Sequence, residues 1–524
     1  MVVELVKVGS ALSAEHDHRK ILEMIVELAQ RVTNADGCTL YIMDESEATL
    51  RFALVRNKSL NVCEGEDAHA EIWRPITVVD DSGRENHRNV SAHCALTGKV
   101  VAISDVYKTD FDFQGTKDFD LVTGYRSKSM LVVPLKDHEN EIIGVVQLLN
   151  AQDWNSGRVI DFGSMDSAIV ASLASQAAIA LTKRHLIDNL ETLLAAIVKM
   201  VGQAVDEKSP YTAGHIQRVA EITELFIDKV NGQKDGSFGR RYFSEDEKSE
   251  LMLAAWLHDV GKIVTPEHII DKSTKLETIV DRIEIIRYRI ELLKKDATLK
   301  HLEAQLGGSE PSFAESGALE EYCSRLDDIY SYLEHVNFGG EFLTDEQVEK
   351  ITKIASMTFE MNGKPATLLS EEEVENLLVR RGTLNYQERE IINNHVRVTR
   401  KMLDSLPFSK KHANVPAFAG MHHEKLAGNG YPRGLTGDEI PLPARALAVF
   451  DVFEALTAAD RPYKLGKMMS ESMKIIERMA ADKELDEEVC CFLVTSGLAA
   501  EYAKRHLADR QRDDFCWRGK MYSV

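Results

Sequence analysis

Histidine and aspartate residues recur in apolar helical segments through the second half of the sequence. Their imidazole and carboxylate groups together suit first-row transition metals such as iron and manganese. The pattern therefore indicates a buried divalent-metal cluster and metal-assisted hydrolysis. Its members are five histidines and two aspartates: His215, His258, Asp259, His395, His422, His423 and Asp451.

Two pairs of adjacent residues, His258-Asp259 and His422-His423, limit how such a cluster can be arranged. Neighbours on a helix point about 100° apart because a turn takes about 3.6 residues. Adjacent ligands therefore rarely serve one ion in the same way, whereas the Asp259 carboxylate can span two ions. The seven side chains are enough for two cations at the roughly 3.5–4 Å spacing of dinuclear hydrolases.

The composition places the sequence among ordinary globular proteins. Its 524 residues exceed what one hydrophobic core holds, so two or three domains are expected. The net charge of −21 argues against a surface for a nucleic-acid polymer. We find no run of about 18 apolar residues and no secretory leader, so we expect no membrane span. Seven scattered cysteines indicate reduced thiols, and together these features predict a cytoplasmic protein.

The first part of the sequence predicts an α+β domain, an antiparallel sheet flanked by helices. A helical pattern over residues 15–33 precedes five strand-like segments that begin at residues 38, 49, 100, 129 and 141. This order, with GYRSKSMLVVPLKDHENEIIGVVQLLN at 124–150, resembles a GAF domain over residues 1–165. A PAS-like domain is the alternative, and Gly144 before Val145 favours GAF. A GAF domain implies a small-molecule ligand, which the sequence does not identify.

Residues 166–205 lack proline and show apolar residues in steps of three and four. Such a heptad seam predicts a long helix that pairs with a second copy as a parallel two-stranded coil, giving a homodimer. The alternative is a single helix packed on its own domain. The seam consists of Ile187, Leu190, Leu194, Ile197, Val201 and Ala204.

Residues 206–524 predict an all-α domain joined to the α+β domain by that helix. The pattern of possible metal ligands stops over residues 275–382, where charged helices indicate an insertion. The insertion contains NFGGEF, which includes a fragment of the diguanylate cyclase signature at Gly339-Gly340-Glu341-Phe342. We reject that function because a cyclase needs a strand-turn-strand within a large α/β domain, whereas the fragment sits in a helical insertion. We predict instead a helix end and a turn, with Thr344 capping the next helix.

Four motifs in the last domain carry a specific resemblance. HDVGK at 258, NNHV at 393, HHEKLAGNGYP at 422 and DVFEALTAADRPYK at 451 resemble the HD-GYP family of bacterial phosphodiesterases. The resemblance implies hydrolysis of cyclic di-GMP to linear pGpG and GMP. It also implies two divalent transition metals, most readily iron or manganese.

The resemblance also implies roles for individual residues. Lys262 matches the family's catalytic lysine, and Asp259 matches the carboxylate that bridges the ions. The seven residues of the histidine and aspartate pattern match the metal ligands. Some members place a glutamate four residues before the first histidine to hold a third ion, and Tyr211 stands there in this sequence. The residues expected at the substrate are Gly430, Tyr431 and Pro432 in the adjoining loop, with Arg461 and Lys464 on the phosphates.

Two other functions remain open from sequence. One is hydrolysis of a different cyclic nucleotide, such as cyclic GMP-AMP or a 3′,5′-monophosphate. The other is a non-catalytic scaffold that responds to cyclic di-GMP. The insertion could thicken the domain, which we expect first, or cover the mouth of the site.

Overall fold

The computed structural model of the protein describes residues 15, 17–44, 48–65, 75–80, 82–209, 214–236, 238–307, 317–340, 342–361, 364–458 and 466–524. The chain divides into two compact units, Met1–Leu194 and Ala195–Val524.

The first unit is built on an eight-stranded antiparallel sheet. The strands lie in the order β3-β2-β1-β7-β6-β5, with β4 beside β2 and β8 beside β7. The elements are α1 (His18–Thr33), β1 (Ala35–Asp44), β2 (Thr49–Asn57), β3 (Val62–Gly65), β4 (Ile76–Thr77), α2 (Val90–Thr97), β5 (Val101–Ile103), α3 (Gln114–Thr123), β6 (Met130–Lys136), β7 (Ile142–Gln152), β8 (Val159–Ile160) and the start of α4 (Ser164–Asp206).

Apolar residues on both faces of the sheet are buried, as expected of a sheet covered by helices on both sides. One core combines Ile25 of α1 and Leu173 of α4 with Val146 of the sheet. The opposite core combines Ala92 of α2 with Val145. At Gly144 a Cβ atom would lie 2.3 Å from the carbonyl oxygen of Tyr41, so only glycine allows β7 to approach β1 this closely. The predicted α+β fold is confirmed.

Helix α4 is continuous over its 43 residues, close to the predicted bounds. Leu190, Leu194 and Ile197 of the predicted seam are exposed, whereas Val201 packs against the core of the second unit. A subset of the exposed apolar residues follows the alternating steps of four and three that are typical of coiled coils. This subset is Leu186, Leu190, Leu193, Ile197 and Met200.

Helix α4 is also long and apolar enough to cross a membrane, judged by length and composition alone. Its most apolar stretch is 44% buried inside the protein. Core helices of soluble proteins pass the same test, so this helix is weak evidence for a membrane span. No other described helix passes it.

The second unit is mainly helical, and the predicted all-α domain is confirmed with two short hairpins added. After the end of α4 its elements are α5 (His215–Gly232), α6 (Glu245–Leu257), a 3-10 turn (Val260–Val264), α7 (Glu267–Ile270), α8 (Ile283–Gly307), α9 (Ala318–Asn337), α10 (Asp345–Ala355), β9 (Thr358–Met361), β10 (Lys364–Thr367), α11 (Glu371–Leu377), α12 (Tyr386–Asn393), α13 (His395–Asp404), α14 (Val415–Ala419), α15 (Leu442–Thr457), α16 (Met469–Ala481), α17 (Glu487–Thr495), α18 (Leu498–His506), β11 (Phe515–Trp517) and β12 (Lys520–Tyr522).

One large core holds the ligand-bearing helices together. Phe226 of α5 contacts the rings of Phe450 on α15 and Phe492 on α17, with centroid separations of 5.2 and 5.5 Å. Edge-to-face aromatic pairs of this kind add roughly 0.5–1.5 kcal/mol each beyond the area that they bury. Helices α5 and α15 each carry a predicted metal ligand, so this packing fixes the distance between those ligands.

The predicted insertion forms a second core of its own, separate from that of the ligand-bearing helices. Leu276, Ile286, Leu333 and Leu368 belong to this smaller core. Helix α9 ends at Asn337, and the Thr344 side chain caps α10 as the sequence predicts. Glu341 of the NFGGEF fragment lies outside the described residues.

Candidate metal centre

The predicted ligands sit at the ends of helices and in turns, where side chains from distant segments can converge. His215 is the first residue of α5, and His395 is the first residue of α13. His258 follows α6, and Asp259 precedes the 3-10 turn. Asp451 lies within α15, and His422-His423 lie in the turn after α14.

The 3-10 turn approaches α13 so closely that only glycine fits at the contact. A Cβ atom on Gly261 would lie 2.0 Å from the carbonyl oxygen of His395. The amide of Gly261 donates to the hydroxyl oxygen of Thr399, 2.9 Å away, and that hydroxyl donates to the carbonyl of His258 at 3.1 Å. These contacts explain the glycine of HDVGK and bring His258 beside the helix that carries His395.

The two oxygens of the Asp259 carboxylate face two different pairs of histidines. Its Oδ2 atom lies 3.4 Å from Nε2 of His215 and 3.3 Å from Nε2 of His258. Its Oδ1 atom lies 3.2 Å from Nε2 of His395 and 3.8 Å from Nε2 of His422. A carboxylate in this position can serve two ions, one on each oxygen.

Asp451 and His423 extend the two groups. Asp451 Oδ1 lies 3.2 Å from Nε2 of His215, and Asp451 Oδ2 lies 3.9 Å from Nδ1 of His423. His395, His422 and His423 offer ligand atoms within 4.8 Å of one another, and the same holds for His215, His258 and Asp259. All seven predicted residues therefore meet in one place.

Four of the histidines present the same nitrogen to the centre. Each Nδ1 atom faces an oxygen that accepts, so Nδ1 carries a proton and Nε2 is the nitrogen that faces the centre. The acceptors are the carbonyls of Ala255, Ile392 and Ala419 and the carboxylate of Glu454. The four Nε2 atoms are buried and make no hydrogen bond within the described part of the chain: those of His215, His258, His395 and His422.

Buried nitrogen atoms without hydrogen bonds are costly, and a bound cation removes that cost. The Oδ1 atom of Asp259 is likewise buried without a hydrogen bond to any described group. Imidazole nitrogens and carboxylate oxygens are also the donor set that divalent transition metals take. The residues present therefore fit a pair of such ions.

Charges and burial favour the metal-binding protonation states of Asp259, His422 and His423. Burial alone would raise the pKa of Asp259, but the Lys262 ammonium and His258 hold that pKa well below its usual range. Burial lowers the pKa of His422 well below normal and that of His423 to about 4. Ionised carboxylates and neutral imidazoles are the metal-binding forms.

His215 is the exception. Burial would lower its pKa, but the carboxylates of Glu454, Asp259 and Asp451 raise that pKa well above its ordinary value. Metal binding at His215 therefore displaces a proton.

Lys262 lies at the edge of the centre. Its ammonium donates to Asp259 Oδ2 at a distance of 2.5 Å. Burial would lower the pKa of Lys262, but the carboxylates of Asp259 and Asp451 raise it above its ordinary value. The side chain is therefore a cation near neutral pH.

The GNGYP loop places an aromatic ring against the centre. Tyr431 stacks on His423 with ring centroids 4.8 Å apart. At Gly430 a Cβ atom would lie 2.3 Å from the amide nitrogen of Lys425, which excludes any side chain there. The buried Glu424 carboxylate accepts hydrogen bonds from the amides of the residues at 433 and 435, 2.7 and 2.9 Å away, and so holds the loop.

An open cleft of about 580 Å³ adjoins the ring of Tyr431. Glu390 of α12, Arg397 of α13 and Asn394 between the two helices line its other side. Arg461, Lys464 and Tyr211 lie outside the described residues, so the predictions for them stay predictions.

Sequence reasoning missed two buried glutamates that support the centre. Glu454 accepts from Nδ1 of His215 and, at 2.6 Å, from the guanidinium of Arg218. Its position three residues after Asp451 puts both carboxylates on one face of α15, which was a usable signal. Glu424 directly follows the histidine pair, but nothing in the sequence shows that it binds loop amides.

We expect Glu454→Gln to weaken metal binding, because an amide in place of the carboxylate no longer fixes the Nδ1 proton of His215 as firmly. Losing such a partner typically costs about 10–100-fold in metal affinity. Chelator competition with metal analysis by mass spectrometry measures the change, and the exposed Glu488→Gln is the control. Equal metal retention in both variants would contradict this role for Glu454.

Comparison with known protein families agrees with this architecture. The family model of the GAF domain matches residues 17–181. Two models of the HD domain match residues 212–333 and 369–489, so the two matches lie on either side of residues 334–368 in the insertion.

Three curated relatives align with parts of the chain. This chain is 41% identical to 3′3′-cGAMP-specific phosphodiesterase 1 of Vibrio cholerae over 115 residues, which are 22% of this chain and 26% of the relative. Over 287 residues, 55% of this chain and 36% of the relative, it is 39% identical to 3′3′-cGAMP-specific phosphodiesterase 3 of the same organism. Over 247 residues, 43% of this chain and 64% of the relative, it is 26% identical to a cyclic di-GMP phosphodiesterase of Thermotoga maritima.

The chain thus covers less than two thirds of the length of each relative. The domain matches and the relatives together confirm the resemblance read from the motifs. The chain carries a GAF domain followed by an HD domain of the kind found in cyclic-dinucleotide phosphodiesterases.

Proposed function

We propose that this protein is a metal-dependent phosphodiesterase that hydrolyses cyclic di-GMP to linear pGpG, GMP or both. The observation that carries the proposal is the set of four buried Nε2 atoms around the two oxygens of Asp259. A fold that only needed packing would not leave these atoms without hydrogen bonds.

Two sets of residues would hold two ions, with Asp259 shared between them. His215, His258 and Asp451 form the first set, and the second consists of His395, His422 and His423. Iron and manganese suit these ligands best. When bound, such ions polarise a phosphodiester and make water acidic enough to attack near neutral pH.

The remaining chemistry belongs to side chains beside the ions. Lys262 is a half-buried cation that can offset charge on the phosphate or protonate the departing oxygen. Arg461 and Lys464 would hold the phosphates, and Gly430, Tyr431 and Pro432 would shape the adjoining loop. Local cations are needed here because the whole chain carries a net charge of −21, which repels an anionic substrate.

The cleft beside Tyr431 is suited to a base of the substrate. The aromatic ring offers a stacking surface, and nucleobases stack on such rings with a gain of roughly 1–3 kcal/mol. Arg397 lines the same cleft two residues after His395. Its guanidinium can donate two parallel hydrogen bonds to a phosphate or to the edge of a guanine.

Hydrolysis of 3′3′-cGAMP is the second candidate function. The two Vibrio cholerae relatives are named for that substrate, whereas the Thermotoga maritima relative is named for cyclic di-GMP. A non-catalytic scaffold is disfavoured, because every ligand that the motifs predict is present and close to the others.

The GAF domain would regulate hydrolysis by binding a small molecule, and the insertion would thicken the HD domain. Pairing of two chains would occur through the exposed apolar stripe on α4. Leu190, Leu193 and Ile197 follow heptad spacing, and burying such a stripe against its copy removes apolar surface from water.

We expect His258→Ala and Asp259→Ala to lose turnover and bound metal together. The expected fall in kcat is roughly 1,000-fold or more, because the ions supply several kcal/mol of transition-state stabilisation. Metal content, and the products formed from cyclic di-GMP and 3′3′-cGAMP, are measured on the same preparations. The control is the exposed His335→Ala. Full turnover by a metal-free variant would refute the proposal, and a higher kcat/KM for 3′3′-cGAMP would select the second candidate.

We expect Arg397→Met to raise KM about 10-fold while kcat changes little, because a charged hydrogen bond to the substrate contributes about 1.5 kcal/mol or more. Steady-state kinetics on the purified protein measure both constants. Lys401→Met, which removes the same charge from the same helix, should leave KM unchanged. Equal KM values for the two variants would remove Arg397 from the substrate site.

We expect the double variant Leu190→Asp, Leu193→Asp to be monomeric, because charges in a coiled-coil seam repel each other and lose hydration. Light scattering after size exclusion, at about 10 µM protein, measures the mass. Leu306→Asp, at another exposed apolar position, is the control and should stay dimeric. A monomeric wild-type protein would end this part of the proposal.

A further inference from the structure

The end of helix α4 is bonded to the backbone of the turn that carries Lys262. The ammonium of Lys208 donates to the carbonyls of Lys262, Ile263 and Thr265 at 3.1, 2.5 and 2.6 Å. An ammonium has three N–H groups, so all three are directed at this one turn. The carbonyls at the end of a helical turn carry partial negative charge, which makes a cation favourable there.

The last residue of α4 is bonded to the other side of the centre. The buried Asp206 carboxylate accepts from the amide of Ile216, with its two oxygens 3.1 and 3.3 Å from that nitrogen. The first amides of a helix have no partner inside the helix, and Gly214 at the start of α5 has no side chain to cap them. Asp206 therefore caps α5 from ten residues earlier in the sequence.

The hydrogen bonds of Asp206 and Lys208 both end in segments that adjoin predicted metal ligands. Ile216 directly follows His215, and the 3-10 turn directly follows Asp259. Two side chains at one end of a single helix thus hold the backbone on both sides of the first set of ligands. Catalysis is sensitive to such placement, since a misplacement of about 1 Å can cost about 100-fold in rate.

We propose that Asp206 and Lys208 are positioning residues. Asp206 fixes the position of His215, and Lys208 fixes the position of Lys262. A shift of the end of α4 changes the turnover rate through the hydrogen bonds that these two side chains make. The proposal rests on the proposed phosphodiesterase function. Neither residue is among the predicted metal ligands: Asp206 accepts from the amide of Ile216, and Lys208 donates to backbone carbonyls. Capping alone would stabilise the fold without affecting kcat, and this difference can be measured.

The first pair of variants separates positioning from stability. Lys208→Met should lower kcat about 10–100-fold with KM and metal content unchanged, because the turn loses three donors while the ligands stay. Lys208→Arg should fall between wild type and Lys208→Met, since a planar guanidinium keeps the charge but cannot direct three donors from one nitrogen. Glu207→Gln, at the exposed residue between the two, is the control and should match wild type.

The second pair has a readout that does not need turnover. Asp206→Ala should lower the affinity for one of two bound ions, because His215 loses its fixed position. Asp206→Asn should restore most of that affinity, because its amide oxygen can still accept from Ile216. Metal analysis after chelator competition measures both.

These measurements distinguish a positioning role from a purely structural one. The proposal is overturned if kcat, corrected for the folded fraction seen in thermal unfolding, equals wild type in Lys208→Met. It is also overturned if Lys208→Met loses metal in proportion to activity, or if Asp206→Ala and Asp206→Asn retain metal equally. Should no cyclic dinucleotide be hydrolysed, the proposed substrate fails separately, and bis(p-nitrophenyl) phosphate and the metal measurements still test the positioning residues.

Discussion

The buried carboxylate of Asp259 is the constraint on which the second unit depends. An ionised carboxylate removed from water costs several kcal/mol even after the protein relaxes around it. Lys262 offsets part of this cost with a single charge, and four imidazoles nearby turn nitrogen atoms without hydrogen bonds towards the acid. Cations between the imidazoles and the carboxylate resolve the conflict, because each attracts both partners. The arrangement is therefore poorly suited to a metal-free protein and well suited to a dinuclear one.

This constraint explains why the helices pack as they do. The ligands come from segments more than two hundred residues apart, so their distances are set by the large core and not by local spacing. The phenylalanine contacts between α5, α15 and α17 supply that rigidity. The insertion interrupts the ligand pattern without disturbing it, because α8 to α11 have a core of their own. Long insertions also add little closure entropy, since that cost grows only with the logarithm of length.

The sequence predicted the fold class, the long helix and the seven residues that meet in space. These features have local signals: alternating apolar residues, helical periodicity and paired ligand residues. It did not reveal the roles of Glu424 and Thr399 or the place of Arg397 beside the cleft. A carboxylate that accepts loop amides and a hydroxyl between two turns are defined by which backbone groups lie nearby in space. A surface arginine beside a cleft looks like any other charge on a helix. Along α4 the apolar steps were visible, but only tertiary packing decides that Val201 faces the core while Met200 faces solvent.

The residues hidden from sequence share a physical task. Glu454, Thr399, Asp206 and Lys208 all hold other groups in place, and three of them do so through backbone amides or carbonyls. Every residue offers a backbone carbonyl, and every residue except proline offers a backbone N–H group. A hydrogen bond to the backbone therefore does not require a particular residue type at the position that it holds, and it leaves no motif in the sequence. Ligand atoms, by contrast, require particular side chains and leave motifs. The ligands can therefore remain the same while the supporting bonds determine how firmly each is held, and that firmness is what sets metal affinity and rate.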